Sequence, residues 1–200
     1  MMSKYQEVRG FVFGRIKKIS ENLGAGSTKA LLAQLRRGIG KRPGELPELW
    51  GIFLNELPKE YMSQTGEPSR EEWAIYTTLT LFALHQQGHD SLMHIDDDKN
   101  RLGCAVSRLS QDIGDDASER ILSKLSLAAQ SSDMEELSYR LRTLVKILRD
   151  NDIKLNYVDL AGDLYNFQFE NSIDKVRLKW GQDFYCTFKF DDNRKDDHNE

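Results

Sequence analysis

Cysteine is scarce in this 200-residue sequence. Cys104 and Cys186 are its two, far apart and without a C-x-x-C neighbour. That argues against a disulfide framework or a cysteine-built zinc site, and fits a reducing cytoplasm. Long apolar runs are missing too. No stretch approaches the roughly 18 apolar residues that a membrane span needs. Met1 to Asn22 carries charge throughout and has no apolar block ahead of a small-residue cleavage site, so no secretory leader is expected. There is no internal repeat, no low-complexity tract and no convincing strand hairpin. A surplus of positive charge is also lacking, because the formal net charge is −4.

Catalytic signatures are equally thin. Gly24-Ala25-Gly26-Ser27-Thr28-Lys29 has the look of a phosphate loop but lacks the Gly-Lys pair, and it joins two helices rather than a strand and a helix. Gly40-Lys41 supplies that pair, yet Leu35 stands where the first glycine belongs. His85 and His89 have the spacing of two zinc ligands on one helix, with His94 and Asp96 close behind. Gln86 occupies the place of a metalloprotease glutamate, and Gly88 frays the helix, so polar residues at a helix end are the preferred reading. No serine sits in a nucleophile elbow, and Cys104 has no activating histidine nearby. The pattern disfavours an enzyme, a metal and a cofactor.

What is present is helical periodicity. Tyr5, Val8, Val12, Ile16, Ile19 and Leu23 recur every three or four residues. Gly24 to Gly26 ends that helix, and Ser27 is a candidate cap for the next, running from Thr28 to Leu35. Leu49 to Leu57 reads as a short helix stopped by Pro58. Ser69-Arg70-Glu71-Glu72 is a capping box opening a long helix to about Gln87, apolar nearly all round and therefore buried. Helices follow over Lys99 to Leu109, Asp116 to Ala129 and Asp133 to Arg149, the latter two each opened by an acid that can cap, and the last with Met134, Leu137, Leu141, Leu144 and Leu148 on one seam. Asn156 caps Tyr157 to Gln168, and Ser172 caps a final helix carrying Ile173, Val176, Trp180 and Phe184. The fold class is all-α with about eight or nine helices. The expected division is an N-terminal helical unit over 1–95, a C-terminal helix bundle over 96–190, and a disordered charged tail over 191–200.

The charge is polarised along the chain. Residues 1–42 hold ten Lys and Arg against two Glu, a net of +8, and residues 43–100 hold three against eleven, a net of −8. Arg36, Arg37, Lys41 and Arg42 crowd a corner broken by Gly38, Gly40 and Pro43, between two apolar helices. Arg101 and Arg108 share a helix face with Cys104 and Ala105 between them. Arg120 and Lys124 are four apart, and Arg142 and Lys146 repeat that spacing with Arg140 beside them. Each set alone is an ordinary solvated helix face, and cations at a helix C-terminus are favoured by its dipole. Repetition on three successive helices, added to the corner, points to a trough that tracks a polyanion. A helical protein–protein scaffold without direct nucleic-acid binding is the alternative.

Three blocks resemble the CasB family, the small subunit of the type I-E CRISPR surveillance complex, Cascade. They are Leu35-Arg36-Arg37-Gly38 leading to Pro47-Glu48-Leu49-Trp50; Leu102-Gly103-Cys104-Ala105-Val106-Ser107-Arg108-Leu109; and Tyr157 to Tyr165 with Val176 to Tyr185. The resemblance implies an all-helical, non-catalytic, cytoplasmic subunit. It implies partners: the repeated backbone subunits, the large subunit, a second copy of the chain, the guide RNA (crRNA), and the target and displaced DNA strands of an R-loop. It carries nucleic-acid contact onto Arg36, Arg37 and Arg108, and onto the basic region of Arg120, Lys124, Arg140 and Arg142. Cys104 departs from the pattern, since many relatives have a cation there.

Overall fold

The computed structural model describes the backbone of residues 3–112 and 115–196 and the side chains of residues 3–111 and 118–187. Among these, nine α-helices form and no sheet does; a single parallel bridge joins His94 to Leu155. The final residues of the expected tail, 197–200, lie outside the described residues, as does the expected cap side chain of Asp116.

α1 (Lys4–Ser20) is opened by a capping box of Ser3 and Gln6 and buries Val8, Val12, Ile16 and Ile19. α2 (Gly26–Arg37) buries Thr28, Leu32 and Leu35. Its N-cap is Ala25, with no side-chain cap. Ser27 lies inside the first turn instead, because Lys29 N–H already bonds to the Ala25 carbonyl at 3.0 Å. The expected helix over 49–57 is mostly absent. A 3₁₀ turn (Pro47–Leu49) leads into α3 (Trp50–Phe53), which stops at once. Leu57 N–H then bonds to the Leu54 carbonyl, a tight turn that lets Phe53 and Leu57 both enter the core while Glu56 reaches Arg15 and Lys18 of α1.

α4 (Arg70–His85) is the central helix. Ser69 and Glu72 form the expected box, and every residue from Ala74 to His85 is buried. It packs against α1, α2, α7 (Met134–Asp150) and α8 (Tyr157–Phe167). Gln86 then braces the following loop, donating to the carbonyls of His89 and Ser91 and accepting from Met93 N–H. α5 (Leu102–Asp112) and α6 (Asp115–Ala129) precede α7, and α9 (Glu170–Asp196) closes the chain. Asp133 and Asn156 cap α7 and α8 as expected. Ser172 does not cap α9, which begins at Glu170 and takes Ser172 into its first turn.

Two close approaches set the geometry. A Cβ on Gly103 would collide with the Trp180 carbonyl, so α5 and α9 press together backbone to backbone. A Cβ on Gly38 would meet Tyr76 Oη at 2.5 Å, and that hydroxyl donates to the Gly38 carbonyl at 3.1 Å. The break after α2 is therefore moulded onto α4.

Candidate nucleic-acid interface

The corner begins where α2 ends. Gly40 and Gly44 take left-handed backbone, with φ of +76° and +88°, which turns the chain back toward α3. Three of its four cations already hold carboxylates. Arg37 pairs with Glu48 at 3.1 Å and Lys41 with Glu45 at 2.6 Å. Arg42 spans Glu67 at 2.8 Å and Glu135 of α7 at 3.1 Å. These pairs are exposed, and such pairs contribute about 0–1 kcal/mol, so an incoming phosphate can compete for them.

Arg36 is different. Its guanidinium leans on α4, donating to the Ala83 carbonyl at 3.4 Å, and pairs with no carboxylate among the described residues. Burial pulls its pKa downward without neutralising it. One of five N–H groups is used, and the rest are available to an anion. Arg142 of α7 reaches the corner itself: its Nη1 lies 4.0 Å from where a Cβ on Gly40 would be. Arg142 also pairs with no described carboxylate, and Lys146 stands exposed one turn further along α7. α2 thus places Arg36 on the end of α4, while Arg42 and Arg142 meet where the corner joins α7, with Lys146 one turn further along. Beyond Lys146, Arg149 pairs with Asp150 and reaches Gln87. Gln87 lines an open cavity of about 410 Å³ together with Lys29 and Arg36.

The other expected cations are placed otherwise. Arg140 is held by Glu136 on its own helix, in a bidentate contact at 2.5 and 3.1 Å. Arg101 is surrounded by Asp98 at 2.8 Å, Asp159 at 3.7 Å and Asp183 at 3.9 Å. Burial lowers its pKa and the three aspartates more than reverse that. Arg108 donates to the Lys99 carbonyl at 2.7 Å and to Asn100 Oδ1 at 2.6 Å, clamping the 3₁₀ turn ahead of α5. The helix face between these two arginines is closed: Ala105 is in the core and Cys104 is buried facing the Asp98 carbonyl. Arg120 and Lys124 project from α6 with no carboxylate partner among the described residues, and no contact links them to the corner.

The acids around Arg101 belong to a buried ionic knot. Lys179 Nζ bridges Asp159 at 2.6 Å and Asp163 at 2.7 Å, and Trp180 Nε1–H donates to Asp163 at 2.7 Å. Burial and the neighbouring Asp159 push Asp163 upward. This knot fastens α9 to α8 and α5.

The histidines are structural. His85 is fully buried, with Nδ1 2.9 Å from Tyr157 Oη, and burial drives its pKa down to about 3. His94 Nδ1 accepts from Tyr157 N–H at 3.2 Å, and His89 faces Asp152. The two zinc-spaced histidines therefore face different partners.

One exposed feature escaped the sequence reading. Trp50 is 51% exposed, between Leu49 and Gly51. Its neighbours Leu49 and Phe53, four apart, take the buried side, and that spacing was the available signal that Trp50 falls off the buried line.

The family model for the CRISPR-associated protein Cse2 matches residues 31–185. The crystal structure of CasB from Thermobifida fusca is 31% identical, with a TM-score of 0.71, covering 88% of this chain and 97% of that one. M. ruber CasB is 25% identical, with a TM-score of 0.67, covering 90% and 97%. A chain of a CRISPR RNA-guided surveillance complex shares the fold at 19% identity and a TM-score of 0.67, covering 96% and 99%. Among curated proteins none matches.

Proposed function

The chain belongs to the CRISPR-associated Cse2 family, and from that premise we propose that it is a non-catalytic Cascade subunit that grips nucleic-acid backbone. The strip of Arg36, Arg42, Arg142 and Lys146 holds phosphates of the opened target, and so stabilises the R-loop, while base pairing to the guide RNA reads sequence. The backbone and large subunits and a second copy of the chain surround it. One observation carries this reading: Arg142, far away in sequence, arrives at the Gly40 corner just past the helix end that carries Arg36, and neither arginine has a described carboxylate partner. An unpaired cation beside another costs stability through repulsion, and a polyanion removes that cost.

The test replaces Arg36 and Arg142 together by Ala in the assembled complex and follows target-strand opening. Slower or weaker opening with an unchanged circular dichroism spectrum supports the reading. Unchanged opening contradicts it. A scaffold role is the second reading. It is favoured by the carboxylates already on Arg37, Lys41 and Arg42, and by exposed Tyr139, Leu178 and Tyr185. That role needs complex assembly but no affinity for free nucleic acid.

A further inference from the structure

Trp50 is the one large apolar side chain exposed among the described residues between Phe13 and Ile95. It is not loosely held. Its indole Nε1–H donates to the Gly44 carbonyl at 3.4 Å, and Gly44 itself holds a left-handed turn at φ +88°. Leu49 and Phe53 on either side are 1% and 3% exposed, so the short helix that carries the ring is anchored from below. Glu48, two residues before it, holds Arg37, and Glu45, next to Gly44, holds Lys41. The ring therefore projects from a corner held by two ion pairs.

An isolated, fixed indole beside cations suits a flat aromatic solute better than a cluster of apolar side chains. Single strands bind such places by laying a base on the ring while the phosphates follow the cations. A duplex has no free base face to offer. We propose that Trp50 is a stacking platform for one unpaired nucleobase of the strand whose phosphates lie along Arg36, Arg42 and Arg142. This rests on the backbone-gripping function above and adds to it a contact with a base, tolerant of sequence because every base has a π face.

The experiment uses the full chain at low salt and four probes: an oligothymidylate, an oligouridylate, an abasic strand of equal length and a duplex. Wild type should prefer the base-bearing strands to the abasic one. Trp50→Ala should weaken oligothymidylate or oligouridylate binding about fivefold or more and abolish that preference, leaving abasic and duplex binding unchanged. Trp50→Phe should keep most of the preference. A larger loss on the deoxy or the ribo strand identifies displaced DNA or guide RNA as the source of the base. Unchanged binding by Trp50→Ala overturns the inference, as does an equal loss on all four probes. Normal binding with failed complex assembly also overturns it and assigns Trp50 to a protein contact. If the wild-type chain binds no strand, the backbone-gripping reading falls, and this inference with it.

Discussion

Acid should loosen this fold chiefly through His85. The ring is fully buried against Tyr157 and its folded pKa is about 3, against about 6.5 in an unfolded chain. Between those values the unfolded state binds a proton and the folded state does not, so stability falls as pH drops below about 6.5. The slope approaches about 1.4 kcal/mol per pH unit, and the loss from pH 7 to pH 5 comes to about 2 kcal/mol. His94, also lowered by burial, acts in the same direction. Asp163 and Asp183, raised by burial, act oppositely: their folded forms keep a proton to higher pH and gain relative stability as pH falls. Urea unfolding of wild type and His85→Gln at pH 7, 6 and 5 separates these contributions, because the aspartates are common to both proteins. Gln can still bond Tyr157 Oη but does not titrate. Wild type should lose about 2 kcal/mol more than the variant over that range. Parallel stability curves would refute the argument and mean that the ring titrates near its ordinary value in the folded protein.

The remaining expectations concern packing and the ionic knot. Gly38→Ala puts a methyl where Tyr76 Oη and Leu49 Cδ1 already are, and overpacking of that kind costs about 1–3 kcal/mol, read as a lower urea midpoint at an unchanged m-value. Lys179→Met strands Asp159 and Asp163 together in the core; breaking a buried pair costs about 3–5 kcal/mol, and adding Asp159→Asn should recover part of it. If Lys179→Met alone melts like wild type, the knot contributes nothing to holding α9.

The helices were legible because their apolar faces repeat locally. Val8, Val12 and Ile16 in α1 and the Met134 to Leu148 seam in α7 are buried as their spacing requires. Caps were legible where the capping residue is also where the helix starts, as at Ser69, Asp133 and Asn156. They failed at Ser27 and Ser172, where the helix begins earlier than the better capping residue. The basic corner could be seen in one short stretch of chain. The arrival of Arg142 could not, since it depends on α7 packing on α4 and reaching the corner. The enclosure of Arg101 by Asp159 and Asp183 was hidden for the same reason: those acids are distant in sequence and meet it only when α8 and α9 pack on α5.

The central claim is that cations from α2, the corner and α7 act as one phosphate-binding strip. A salt titration of the full chain on single-stranded DNA tests it most directly. Four contacts, from Arg36, Arg42, Arg142 and Lys146, give a slope of log affinity against log salt of about −2.8, and Arg36→Ala with Arg142→Ala should halve it to about −1.4. A wild-type slope near zero, or the same steep slope in the double variant, would contradict the account.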